Sequence, residues 1–170
     1  MNVANVKHFD IANGPGVRTS LFLSGCPFRC KGCFNSVTWD YNYGEVLSSE
    51  IKQDIIESLK NENVTGFSLL GGEPFEREND GDYYVLINLI QLIKRNTDCS
   101  SFWVWSGHIF EELIKNEHWY YLLKEFDVLV DGQFIQEKKD LRLPYCGSTN
   151  QRIIDVQKSL KEGKVVLWGN

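Results

Sequence analysis

The stretch RTSLFLSGCPFRCKGCFN, residues 18–35, joins a segment that ends in Leu-Phe-Leu directly to a cysteine-rich loop. Its first six residues, Arg18 to Leu23, end in three apolar residues and have the length of a short buried β-strand. The loop that follows holds three of the chain's five cysteines, Cys26, Cys30 and Cys33. This strand is therefore the first predicted element of the fold, and the loop is the first candidate site.

Strands and helices alternate along the rest of the chain. Apolar patterns predict three further strands, at Gly66–Leu70, Phe102–Trp105 and Asp127–Val130. They also predict three helices, from Ser48 or Ser49 to about Asn61, from about Asp82 to Arg95, and from about Ile109 to Glu125. This alternation favours βαβ units with right-handed crossovers and a mainly parallel sheet. Only about four or five units fit into the chain, whereas a closed eight-unit barrel takes about 250 residues. We therefore expect an α/β fold with one domain over residues 1–170, an open partial (βα) barrel whose mainly parallel sheet has four to six strands.

Several candidate ligand-binding residues directly follow predicted strands. The cysteine loop follows the first strand, Gly71-Gly72-Glu73-Pro74 the second, Ser106 the third and Asp131 the fourth. Ligands of open α/β sheets bind at the carboxyl ends of the strands, so we expect these residues at one edge of the sheet. The glycines would let the backbone approach a ligand closely, and Glu73 with nearby backbone acceptors would suit an ammonium group. Ordinary turns at strand ends are the alternative for Ser106 and Asp131.

The spacing Cys-x3-Cys-x2-Cys leaves two interpretations of the loop open. Structural zinc sites fill four positions and usually pair two close ligands with two distant ones. The fourth ligand would then be Cys99 or Cys146, and the protein would be a non-catalytic zinc-binding adaptor. Three thiolates on one tight loop instead suit three irons of a [4Fe–4S] cluster and leave the fourth iron open to a substrate. The spacing favours the cluster.

The net charge and the composition indicate which kinds of partner the protein binds and in which compartment it resides. The net charge is −5 at pH 7, and no block of lysine and arginine supplies the basic surface that nucleic-acid binding requires. No apolar run reaches the ~18–20 residues of a membrane span, and the first ten residues lack the pattern of a secretory signal. We therefore expect a cytoplasmic protein that binds neither nucleic acid nor membrane.

The cysteine spacing resembles that of the radical S-adenosylmethionine (SAM) enzymes. The segment NGPGVR, residues 13–18, followed by a strand and the cysteines, is similar to the start of the enzymes that activate glycyl radical enzymes. Many radical SAM proteins carry an aromatic residue just before the third cysteine, but here that residue is Gly32 and the aromatic residue is Phe34. This departure, with DGQF at 131–134 and GSTNQR at 147–152, resembles the activating component of anaerobic ribonucleotide reductase.

The resemblance implies roles for residues and partners. The three loop cysteines would bind the [4Fe–4S] cluster, and SAM would occupy its open iron. Reductive cleavage of SAM would generate a glycyl radical on the catalytic subunit of anaerobic ribonucleotide reductase, with an electron donor protein such as a flavodoxin as a second partner. An activase of another glycyl radical enzyme is the alternative within this family. The residues expected to bind SAM are Gly32, Cys33, Phe34, Gly71, Gly72, Glu73, Ser106 and Asp131.

Overall fold

A single mixed β-sheet organises the chain in the computed structural model, which describes residues 1–169. Its seven strands lie in the order β3-β1-β2-β4-β5-β6-β7. The central four, β2, β4, β5 and β6, run parallel, and β1, β3 and β7 are antiparallel to their neighbours. The strands span Asn2–Asp10, Arg18–Leu23, Glu45–Val46, Gly66–Gly71, Phe102–Trp105, Val128–Asp131 and Arg152–Asp155, for β1 to β7.

The helices connect the parallel strands. The α-helices span Ser49–Leu59, Asp80–Asn96, Phe110–Leu113, Glu117–Leu123 and Val156–Glu162, for α1 to α5, and two short 3-10 helices span Ser36–Trp39 and Gln136–Lys138. The Ser48 side chain caps α1 by accepting a hydrogen bond from the Ile51 amide. Every crossover from β2 to β6 moves one strand in the same direction, so right-handed connections place α1 to α4 on one face of the sheet.

The two faces of the sheet are covered differently. Phe102 and Val104 of β5 pack into the main core, which includes apolar residues of the helices, whereas the alternate residues Trp103 and Trp105 belong to a second cluster. Arg18 is also buried, and its guanidinium lies 5.6 Å from the centre of the Trp103 ring. Within residues 1–169, the partly buried residues that pack against this second cluster lie in strands and loops, such as Tyr145, and none lies in a helix.

The four strands and the helical regions predicted from the sequence are present within a few residues. The predicted helix at 109–125 is divided into α3 and α4. The expected count of four to six strands is wrong, because three further antiparallel strands extend the sheet to seven. These strands are hard to recognise, since apolar and polar residues do not alternate regularly in β1, β3 has two residues and β7 has four. The closure of the sheet into a partial barrel stays a prediction.

The lengths of the helices bear on membrane insertion. Within residues 1–169, no helix is both long enough and apolar enough to span a membrane.

Candidate functional site

The cysteine loop and the Gly-Gly-Glu-Pro turn meet at the carboxyl edge of the parallel strands. β2 pairs with β4 through Leu23 and Gly71, so the segments that follow the two strands start side by side. The Gly72 amide donates to the Leu23 carbonyl at 2.7 Å, and the Glu73 amide donates to the Gly25 carbonyl at 2.8 Å. The predicted meeting of the two segments is confirmed at the level of the backbone.

Left-handed backbone conformations shape the cysteine loop. Gly25 has φ 93°, Arg29 has φ 47° and Gly32 has φ 74°, so the chain reverses repeatedly around the cysteines. Cys26, Cys30 and Cys33 are all half-buried, and the Cys33 amide donates to the Cys30 carbonyl at 3.1 Å. Burial raises the pKa of the Cys26 thiol to about 11, so binding of a metal there must displace a proton.

The donor set of the loop fits an iron–sulfur cluster. Thiolates are the ligands that such clusters use, and one loop here supplies three of them. Among residues 1–169, no three His, Cys, Asp or Glu side chains are grouped so that they could hold a single metal ion. A cluster does not require that grouping, because each thiolate binds a different iron.

The two glycines of the turn are required by packing within the protein. Gly71 has φ 105°, and a side-chain carbon there would lie 2.6 Å from the Leu23 nitrogen. A side-chain carbon on Gly72 would lie 2.3 Å from the Gly25 carbonyl oxygen. The space beside each glycine is filled by the β2 end and the start of the cysteine loop, so packing alone already requires both glycines. The prediction that their backbone approaches a ligand stays a prediction.

Glu73 is buried and acts as an internal hydrogen-bond acceptor. Its Oε1 accepts from the Ser106 hydroxyl at 2.9 Å and from the Phe75 amide at 3.1 Å, and its Oε2 accepts from the Gly107 amide at 2.7 Å. Burial raises the pKa of this carboxyl despite these bonds. The structure thus brings Glu73 and Ser106 together as predicted, but it directs both toward each other. The expected ammonium contact of the Glu73 side chain is not supported by its position.

Asp131 does not present its carboxylate to the edge of the sheet. The side chain is buried, and Oδ1 accepts from Arg152 Nε at 2.9 Å while Oδ2 accepts from the Phe110 amide at 2.8 Å and from Arg152 Nη2. Arg152 also bonds to Glu111, which raises the pKa of the arginine further. The expectation that Asp131 binds SAM is therefore corrected, because both of its oxygens are engaged in holding β7 and α3 to β6.

Arg77 connects the two segments of the site and was missed in the sequence. Its guanidinium donates to the carbonyls of Ser24 and Gly25, both at 2.9 Å, and to that of Glu73. Burial lowers its pKa, although Glu73 and other acidic groups oppose the effect. The available signal was its place three residues after the Gly-Gly-Glu-Pro turn, where a basic side chain can reach back to the backbone.

Phe28 is a second residue that the sequence did not indicate. It lies between the first two loop cysteines, and its ring packs edge-on against His108, with 4.8 Å between the ring centres. A side-chain carbon on Gly107 would lie 2.4 Å from the Phe28 ring. The loop therefore extends across the ends of β4 and β5.

An open cavity of about 860 Å³ lies on one side of the cysteine loop. Cys26 and Arg29 line it from the loop, and Trp39 and Tyr41 line it from the segment that follows. Apart from the iron-ligand candidate Cys26, its lining includes none of the residues predicted to bind the cluster or SAM. Phe34 lies elsewhere on the loop, with 90% of its surface exposed.

Known proteins are similar to this chain over almost its whole length. A family described as the 4Fe-4S single cluster domain matches residues 12–154. The chain is 39% identical over 155 residues to the anaerobic ribonucleoside-triphosphate reductase-activating protein of Vibrio cholerae, covering 90% of this chain and 97% of the relative. The proteins of the same name from Haemophilus influenzae and Escherichia coli K12 are each 37% identical, covering 90% and 89% of this chain and 97% and 96% of the relatives. The chain belongs to this family of reductase-activating proteins. The predicted resemblance is confirmed.

In this member of the activating-protein family, Cys99 and Cys146 lie apart from the cysteine loop. Cys99 precedes β5 and its sulfur faces the Ser101 carbonyl at 3.9 Å, at the edge of the sheet opposite the loop. The strands between the two edges, β2 and β4, have six residues each and span about 20 Å. Cys146 packs against the tryptophan cluster of β5. Neither cysteine joins a group of metal ligands among residues 1–169, so the structure does not bring either of them to the loop as a fourth zinc ligand.

Proposed function

We propose that this activating protein is a radical SAM enzyme. It would cleave SAM reductively at a [4Fe–4S] cluster and generate the glycyl radical of an anaerobic ribonucleotide reductase. The proposal is carried by one observation, the three thiols that a single loop holds at the carboxyl edge of the parallel strands. Membership of a family with a 4Fe-4S domain, and the names of the relatives, support it.

Cys26, Cys30 and Cys33 would hold the cluster. When bound, it would supply one electron that breaks a carbon–sulfur bond of SAM, releasing methionine and an adenosyl radical that takes a hydrogen atom from a glycine of the partner. The chain's own task is to keep the loop in place and to exclude water from the reacting groups. Arg77 and the Glu73 amide perform the first task, because both bind the carbonyl of Gly25, next to Cys26.

Most of the residues expected around SAM would contact it directly, and Glu73 would act indirectly by holding the turn. Gly32, Cys33 and Phe34 would lie along SAM, and the exposed ring of Phe34 would cover its adenine. At the turn, the contacts with the amino group would come from the half-buried backbone of Gly71 and Gly72. Glu73 would not contact SAM but would hold that backbone in place through the hydrogen bonds of its buried carboxylate.

Two protein partners follow from the proposal. The catalytic subunit of the reductase would present its glycine on a loop, since a backbone atom can react only when its chain enters the site. An electron donor protein such as a flavodoxin would reduce the cluster.

The test is an anaerobic preparation reconstituted with iron and sulfide. We expect a brown protein that, with SAM, a reductant and the reductase subunit, yields a glycyl radical detected by electron spin resonance. Replacing Cys26, Cys30 or Cys33 with serine should abolish both the cluster and the radical, whereas Cys99→Ser, at the opposite edge, should preserve both. A colourless protein that binds only zinc would refute the proposal, and so would an inactive Cys99→Ser variant that is correctly folded.

A further inference from the structure

The connection between β6 and β7, residues 132–151, brings one polar side chain onto the cysteine loop. Gln136 begins the 3-10 helix of this connection. A side-chain carbon on Gly32 would lie 1.8 Å from Gln136 Oε1 and 2.6 Å from its Cδ. The carboxamide of Gln136 therefore fills the space of the missing side chain at Gly32, which lies between Cys30 and Cys33.

The carbonyl oxygen of this amide is buried without a partner. Within residues 1–169, Gln136 Oε1 has no hydrogen bond. A buried acceptor left unpaired costs about 1–3 kcal/mol, so a native fold that keeps one calls for an explanation. Here the orphaned atom faces the backbone between two candidate iron ligands, which points to a role in the loop rather than in the stability of the connection.

Hydrogen bonds from a later segment of the same connection hold Gln136 in this position. The Ile135 amide donates to the Ser148 hydroxyl at 3.2 Å, and the Thr149 amide donates to the Lys138 carbonyl at 2.9 Å. Gln151 Nε2 donates to the Gly132 carbonyl at 2.8 Å. These contacts come from GSTNQR, residues 147–152, a segment that the proposed function does not otherwise use.

An ion pair supports the same contact from the surface. Lys31 and Glu137, the neighbours of Gly32 and Gln136, approach to 3.4 Å. Both side chains are largely exposed, so this pair adds little energy. The steric fit of the amide against Gly32 is therefore the contact that can fix the loop.

We infer that Gln136 is a positioning residue for the iron ligands. Its amide holds Gly32 in the left-handed conformation, φ 74°, and so sets the relative placement of Cys30 and Cys33. Its dipole also lies against the loop that carries these thiolates, and dipoles around the ligands tune the reduction potential of iron–sulfur clusters. The inference rests on the proposed binding of the cluster by the three loop cysteines.

Gln133 provides a matched control in the same connection, because its side chain is exposed and three residues away. Reconstituted parent, Gln136→Ala and Gln133→Ala would be treated with an iron chelator, and cluster loss would be followed by absorbance. We expect loss to be about 10-fold to 100-fold faster in Gln136→Ala, the usual effect of removing a group that orients a metal ligand, and unchanged in Gln133→Ala. Gln136→Asn, which withdraws the amide by one methylene, serves if the alanine variant does not fold.

A redox titration separates positioning from mere support of the fold. Gln136→Glu places a carboxylate against the loop and should lower the midpoint potential of the cluster, because negative charge opposes the added electron. Gln133→Glu adds the same charge at an exposed side chain, where water screens it, and should lower the potential less. Equal rates of cluster loss, or equal potentials, in the two series would overturn the inference while the parent still holds its cluster. A parent without a cluster would instead refute the proposed function, and this inference with it.

Discussion

Replacing Gly72 with alanine should destabilise the protein even when no ligand is present. The added carbon would lie 2.3 Å from the Gly25 carbonyl oxygen and 2.9 Å from its carbon. Both are backbone atoms, which cannot rotate away as a flexible side chain can. The same oxygen accepts hydrogen bonds from the Glu73 amide and from Arg77, so a shift of Gly25 strains those contacts as well.

The size of the effect follows from these contacts. Overpacking a well-filled site costs about 1–3 kcal/mol, and one weakened hydrogen bond adds about 1 kcal/mol. We therefore expect a loss of about 2–4 kcal/mol in the free energy of unfolding, or about 4–16 °C in Tm for a chain of this size. The start of the cysteine loop should move with Gly25, so cluster binding should weaken too.

Gly81→Ala is the matched control. Gly81 lies in the first turn of α2. Apart from adjacent residues and the backbone of the helix itself, no heavy atom of residues 1–169 lies within 4 Å of the position of its added carbon. Alanine is the better helix former, so this variant should gain up to about 1 kcal/mol. Urea unfolding of both iron-free variants under reducing conditions measures the two changes. If Gly72→Ala were as stable as the parent, close packing against Gly25 would not be the reason that this position requires glycine.

Two further predictions concern buried charged groups. Arg77→Lys should lower the free energy of unfolding by about 2–4 kcal/mol, because an ammonium cannot replace the planar guanidinium that donates to three carbonyls. An unchanged midpoint of urea unfolding would contradict this prediction. Burial raises the pKa of Asp10, but hydrogen bonds from Ser20, Ala12, Asn13 and Lys7 outweigh it and bring the pKa to about 2, below the ordinary 3.8. The stabilisation by the ionised Asp10 is thus complete above its unfolded pKa and is lost as the pH falls from about 4 to 2. Acid unfolding should therefore show that the difference in the free energy of unfolding between the parent and Asp10→Asn shrinks over that range. A constant difference would show that the carboxylate is not its source.

The sequence by itself determined the family, the iron-ligand candidates and the parallel centre of the sheet. The cysteine spacing and the segments around it are local patterns, and they are readable because a metal-binding loop depends on residues close together in the chain. The strands β2, β4, β5 and β6 were equally accessible, because each is short and contains adjacent apolar residues, as expected of strands in the buried centre of a parallel sheet.

Only the tertiary structure decided how the residues at the carboxyl edge are used. Three polar residues stand at the ends of strands, where ligand-binding residues are expected: Glu73, Ser106 and Asp131. The folded chain nevertheless supplies each of them with hydrogen-bond partners from distant segments. Arg77 and Gln136 gained their places in the same way, through contacts with the cysteine loop that no local pattern encodes. Hydrogen bonding and close packing depend on which segments the fold brings together, and a linear pattern of residue types does not contain that information.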